Sequence, residues 1–188
     1  MKPAIYRNER GNKREHRNWT VRRAPGRLAH RGLLNVAGKV LPCVLGRAGI
    51  SAFKREGDRA TPAGTLHVLG GGYRRDRLPL GRICRDLAVI GAQDGWCDDP
   101  AHAAYNRPVH LPFAASHEKL MRDDRLYDVC LVLDWNWHPR MRGRGSAIFL
   151  HLTSPDEGPT QGCVAVDPSR MRRLLNFMRP GQKLKVLP

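Results

Sequence analysis

Short apolar runs broken every few residues by glycine, proline or charge run along most of this chain, and that pattern predicts many short strands. Leu33 to Leu45 reads as a hairpin around Ala37-Gly38, and Leu66 to Leu69 as a strand ahead of Gly70-Gly71-Gly72. Leu126 to Leu133 reads as a central strand. Ser146 to Leu152 is a further buried strand, and the turn-rich Thr153 to Pro159 takes the chain out of the sheet and back. One segment carries the helical period instead. Asp167 is a plausible N-cap, Pro168 suits the first turn, and Met171, Leu174, Leu175 and Met178 follow at i, i+3, i+4 and i+7, with Gly181 as the stop. A shorter helix is predicted from Ser116 through Leu120. The fold class is therefore mainly β with few helices.

Composition narrows the picture. A chain of 188 residues that is 41% hydrophobic suits one domain with a proper core, and no stretch approaches the roughly 20 apolar residues that cross a bilayer. The formal charge of +16 is uneven, since Met1 to Arg31 holds ten Lys/Arg against Glu9 and Glu15. Residues 1–18 read as a basic N-terminal extension and 19–188 as the folded domain. Such an arm is a solvated tail or a contact for a polyanion. Met1 to Thr20 has the basic start of a secretory leader without its apolar core, so no signal peptide is visible. A nucleic-acid-binding protein would explain the charge, but aromatics are only 6% and no recognition motif is present, so no specific nucleic acid is expected.

Five cysteines (Cys43, Cys84, Cys97, Cys130 and Cys163) leave one unpaired whatever the others do, and no CxxC pair points to zinc or redox work. His102, His110 and His117 lack the close spacing of a zinc site, and the triple glycine lacks a following Gly-Lys-Ser/Thr, so neither metal nor cofactor is expected. Cys130 lies in an apolar run and reads as inert core. Cys163 differs, because it closes Thr160-Gln161-Gly162-Cys163 a short loop after the strand-borne His151. A thiol with a pKa near 8.5 is mostly protonated at neutral pH, and a neighbouring imidazole activates it by taking the proton or by holding the thiolate. Gly162 permits close backbone approach, and the Gly162 and Cys163 amides suit a developing oxyanion. The alternative is a buried cysteine beside a core histidine.

Phe149-Leu150-His151, a loop, and Thr160-Gln161-Gly162-Cys163-Val164 together resemble the signature of the YkuD-type L,D-transpeptidases, in which a strand-borne histidine precedes a Ser/Thr-x-Gly-Cys segment. Lys54 to Thr65, containing Thr61-Pro62-Ala63-Gly64-Thr65, is similar to the family's T-P-x-G-T turn. The resemblance spans roughly Trp19 to Pro188 and implies a YkuD-like β-sandwich with the catalytic cysteine before a C-terminal helix. It also implies a peptidoglycan L,D-transpeptidase working through a cysteine acyl-enzyme, in the 3–3 or 1–3 register, or the related carboxypeptidase or endopeptidase if water takes the acyl group. The implied partners are stem peptides containing diaminopimelate, and the implied location is the periplasm or cell wall. A basic protein that binds peptidoglycan without catalysis is the rival within that resemblance.

The motif departs from the usual pattern at two positions, with Gln161 in place of a second histidine and Ala165 in place of an arginine or asparagine. The carried-over roles are nucleophile for Cys163 and base for His151, oriented by the Leu152 carbonyl or the Thr153 hydroxyl. Thr160 and Gln161 are substrate-binding candidates beside the nucleophile. Arg142 and Arg144 are candidates for the missing carboxylate contact, or else a solvated basic turn. Trp96, Tyr105 and Asn106 lie in segments read as loops whose exposed aromatics line a cleft or simply pack.

Overall fold

The computed structural model describes residues 18–78, 87–178 and 181–188. The basic extension, apart from Asn18, and Cys84 lie outside the described residues. In chain order the strands are β1 (Trp19–Arg23), β2 (Arg31–Val36), β3 (Lys39–Val44), β4 (Ile50–Ser51), β5 (Thr61–Pro62), β6 (Gly64–Tyr73) and β7 (Ala88–Val89). They continue with β8 (Asp94–Cys97), β9 (Arg107–His110), β10 (His117–Lys119), β11 (Val129–Leu133), β12 (Phe149–Leu152) and β13 (Val164–Val166), then helix α1 (Pro168–Leu175) and β14 (Lys183–Val186). Among the described residues the fold is mostly strand, with one helix after Cys163.

The main sheet has the order β11-β12-β13-β3-β2-β1-β14-β6-β7, and β11 also pairs with β6, so the sheet closes on itself. A smaller sheet orders β10-β8-β9, and β4 pairs with β5. The β2–β3 hairpin turns at Ala37 (φ 52°) and Gly38 (φ 88°). Two left-handed residues between paired strands are the signature of a tight turn whose twist matches the sheet.

β11 and β12 begin at Val129 and Phe149, three residues later than the expected strands, and three further elements differ from the sequence expectations. Ser116 to Leu120 is not a helix: His117 to Lys119 form β10, pairing with Cys97, Trp96 and Gly95 of β8. Cross-strand pairing there overrides a weak local helical preference. α1 begins as predicted, with the Asp167 carboxylate accepting from Ser169 N–H at 2.8 Å and Arg170 N–H at 3.0 Å. It ends at the C-cap Asn176, ahead of Gly181, so the buried Met178 lies beyond the helix.

β6 is the third difference, because it runs through the triple glycine instead of stopping there. A Cβ on Gly71 would lie 2.3 Å from the Cys130 carbonyl oxygen, and one on Gly72 would lie 2.6 Å from Ile90 Cγ1. Gly71 makes room for β11 and Gly72 for Ile90 beside β7, so these glycines serve close packing and do not end the strand. Gly71→Ala is therefore expected to destabilise the fold by about 1–3 kcal/mol through overpacking, read as a lowered Tm. An unchanged melting curve would show that β11 yields at no cost.

β11 and β12 are buried on both faces. Leu131 and Leu150 pack into the larger core with Val164, Met171, Leu174 and Leu184. Cys130, Val132 and Phe149 face a smaller core with Trp96, Tyr127 and Cys163. That two-residue alternation turns His151 to the same side as Phe149, toward the smaller core and the cavity above it. No helix among the described residues is long and apolar enough to cross a membrane.

Candidate active site

β12 pairs antiparallel to β11, with His151 opposite Cys130, and parallel to β13, with His151 opposite Ala165. Cys163 immediately precedes β13, so this pairing brings thiol and imidazole to the wall of a single cavity of about 290 Å³. His151 is 5% exposed, and its Nδ1 lies 2.7 Å from the Leu152 carbonyl oxygen. A carbonyl only accepts, so Nδ1 carries the proton and Nε2 keeps a lone pair as the basic nitrogen. The expectation left two partners open for His151, and the Leu152 carbonyl is the one engaged. Thr153 lines the cavity, and its amide donates to Val166 O at 3.0 Å.

The thiol is also held by the backbone. Cys163 Sγ accepts from Phe149 N–H at 3.3 Å and donates to the Ala147 carbonyl at 3.2 Å. Burial pushes the thiol pKa up to about 12, opposed by the Phe149 N–H, while the Glu118 charge raises it further and the Lys54 charge lowers it. Burial lowers the His151 pKa to about 4, opposed by its bond to Leu152. Both groups are uncharged at neutral pH. Burial thus favours the uncharged thiol and the uncharged imidazole over an ion pair between them.

The turn before Cys163 is tied together by Thr160. Its hydroxyl donates to Cys163 O at 2.7 Å and accepts from Gly162 N–H at 3.2 Å. The Gly162 amide is thus bonded to Thr160 and does not point at an open oxyanion position. Gly162 has φ 139°, and a Cβ there would lie 2.9 Å from Ala60 O, so its small size serves packing under the turn as well as backbone geometry. Thr160 and the exposed Gln161 both line the cavity.

Of the two readings of Trp96, Tyr105 and Asn106, packing and not a cleft lining is the one the structure has. Trp96 is 1% exposed, Tyr105 1% and Asn106 2%, and none of them lines the cavity. Trp96 belongs to β8 and meets Phe149 edge to face at 5.2 Å, so it supports the site from below. Tyr105 O–H donates to Glu56, which also accepts from Ser146 Oγ at 2.9 Å. Asn106 Oδ1 accepts from Trp96 Nε1 and from Ala147 N–H, each at 3.1 Å. Ala147 sits at φ 50°, a costly conformation for a residue with a side chain, and its carbonyl accepts the Cys163 S–H hydrogen bond. Asn106 therefore bonds to Ala147, which bonds to Cys163, and it does not line the cavity itself.

Arg142 and Arg144 are exposed and do not line the cavity, because Gly143 and Gly145 (φ 73° and 95°) turn that loop outward. The guanidinium that lines it is Arg122, which lies 5.0 Å over the Tyr127 ring and pairs with Asp124. Tyr127 O–H donates to Glu118 at 2.8 Å, and the ring meets His151 edge to face at 5.2 Å. Asp98 also lines the cavity, with its buried Oδ1 unpaired among the described residues. Glu118, Arg122 and Tyr127 carry no local sequence signal and were not anticipated. Lys54 and Glu56 lie inside the segment that carried the T-P-x-G-T resemblance, the one clue that pointed to them.

A thiol and an imidazole opening on one cavity of a β-rich scaffold are the parts that cysteine acyl transfer uses. The sequence matches the YkuD family, described as the L,D-transpeptidase catalytic domain, over residues 12–186, and the chain belongs to that family. Among solved structures it is similar to Mycobacterium tuberculosis L,D-transpeptidase 1, at 12% identity and a TM-score of 0.39. That alignment covers 91% of this chain and 62% of the mycobacterial one, so the chain spans less than two thirds of that protein. No curated protein matches the sequence significantly.

Proposed function

We propose that this protein is a peptidoglycan L,D-transpeptidase whose nucleophile is Cys163 and whose base is His151. The observation that carries the reading is that the two side chains line one cavity while Leu152 O fixes the proton on Nδ1, leaving Nε2 free to act. Cys163 sulfur attacks the carbonyl of an L-centred residue that precedes a D-residue in a stem peptide. Its proton passes to His151 and then to the departing amine as the C–N bond breaks, leaving a thioester. The D-centred amine of a second stem's diaminopimelate attacks the thioester, loses a proton to His151 and expels the sulfur, which forms the crosslink.

Transfer to an amine is favoured over hydrolysis by the acidic side of the cavity, where Asp98 and Glu118 stand beside the site and suit an approaching ammonium. With Ala165 in the position of the usual carboxylate contact, the donor is read differently, and the bond after L-alanine at position 1 stands beside the bond after diaminopimelate at position 3. Arg122 replaces Arg142 and Arg144 as the proposed carboxylate contact, since it is the arginine that lines the cavity. The expected place of action is the cell wall. Purified tetrapeptide and tripeptide muropeptides incubated with the protein should give crosslinked dimers whose sequencing reveals 1–3 bonds. Hydrolysis alone would replace transpeptidation with carboxypeptidase or endopeptidase activity, and exclusively 3–3 dimers would overturn the donor assignment.

A further inference from the structure

We propose that Lys54 is a positioning residue for the nucleophile, a buried ammonium held beneath the Gly162-Cys163 turn whose fixed charge stabilises the Cys163 thiolate. The inference rests on Cys163 being the reacting group. Lys54 is 3% exposed, and a cation that deep is costly unless it is paired. It is paired: Nζ lies 2.5 Å from Asp58 Oδ1 and donates to Arg55 O at 2.9 Å. Asp58 in turn accepts from Arg55 N–H at 2.7 Å and Ala60 N–H at 2.9 Å, so the whole 55–60 turn is folded around the lysine's counter-ion. Against the effect of burial, Lys54 Nζ and these backbone bonds hold the Asp58 carboxylate below its ordinary range, which keeps that carboxylate ionised.

The direction of that pair is what matters. Lys54 Nζ stands 3.6 Å from where a Cβ on Gly162 would be, and Cε stands 3.0 Å from where one on Gly145 would be. The side chain threads between the two segments that contact the thiol, one carrying Gly162 and Cys163 and the other carrying Ala147. The ammonium is the end that lies against Gly162, the residue before Cys163, and two of its three N–H bonds are occupied among the described residues, by Asp58 and Arg55 O. An apolar side chain would fill the slot without the desolvation cost of a charge. A positive charge there opposes the burial that holds Cys163 protonated. The other ionisable groups around the thiol and its cavity among the described residues are Glu56, Asp98, Glu118, Arg122, Tyr127, Cys130 and His151, and Glu118 acts against thiolate formation.

The test is Cys163 alkylation by iodoacetamide from pH 6 to 10, followed by peptide mass spectrometry in the full chain, for wild type, Lys54→Met, Lys54→Arg and Lys54→Met/Asp58→Asn. Lys54→Met should lower the Cys163 alkylation rate at pH 8 by about tenfold and move its rising limb to higher pH, one unit being tenfold in thiolate. Lys54→Arg should keep the wild-type limb. The double variant leaves no unpaired buried charge, and it should still melt cooperatively and show the same displaced limb. A folded Lys54→Met or double variant with an unmoved limb would overturn the proposal, whatever happened to turnover. A double variant that cannot fold would overturn it too, by assigning the pair to the fold. Because alkylation needs no peptidoglycan, a displaced limb without any muropeptide turnover would leave Lys54 in this role and remove the transpeptidase reading instead.

Discussion

Cys163→Ala is expected to abolish crosslink formation on muropeptides, a loss on the order of 10⁶-fold if it matches the removal of a covalent nucleophile in other enzymes. The expectation is specific to this thiol. Cys163 lines the cavity, whereas Cys130, opposite His151 in the strand register and 3% exposed, does not. Burial raises the Cys130 pKa well above the ordinary thiol range, and no substrate carbonyl reaches it from the cavity. Cys130→Ala should therefore keep measurable turnover with a lowered Tm from the lost packing in the smaller core. Cys43 and Cys97 are buried free thiols outside the cavity lining and should behave similarly. Intact-mass measurement under substrate should show a thioester adduct on wild type and none on Cys163→Ala. Crosslinks formed by the Cys163 variant at a substantial rate would remove the proposed mechanism.

The features that could be read from the sequence are those determined within a few residues. The Ala37-Gly38 hairpin needs only two residues that accept positive φ between apolar runs. The start of α1 needs only Asp167 and Pro168, and the apolar spacing shows which face is buried. His151 and Cys163 were visible because a strand, a turn-rich loop and a Gly-Cys step lie in one stretch of the chain. The triple glycine misled for the opposite reason: alone it signals a turn, while its use here depends on Cys130 and Ile90, far along the chain.

Orientation was the larger gap. Trp96, Tyr105 and Asn106 looked like exposed loop residues until β8 paired with β9 and β10 and Phe149 covered Trp96. Glu118, Arg122 and Tyr127 reach the cavity from the end of the small sheet and the approach to β11, so only tertiary pairing brings them to His151. Lys54 shows how partial the reading was. Its segment could be matched by pattern, but nothing in one dimension places its ammonium under Gly162, about a hundred residues later.

His151→Ala is expected to slow acylation by about 10²–10⁴-fold, the range for a positioned general base, with little change in substrate binding. The geometry sharpens that expectation into a pH signature. With its folded pKa lowered to about 4, the imidazole is neutral and competent across the neutral range. The acid limb of kcat/KM should therefore fall near pH 4 and not near the ordinary histidine value of about 6.5. The same shift is a stability statement. Between about pH 6.5 and 4 the unfolded chain takes a proton on this histidine that the folded protein refuses. The contribution is thus fully present above 6.5 and is lost as pH falls through the folded value. His151→Gln removes the titrating group, so its stability should decline less steeply than wild type across that window in denaturant melts. If the variants lose only substrate affinity, or if the acid limb and the stability slope are unchanged by the substitution, His151 is a packing residue beside Tyr127 and the base lies elsewhere.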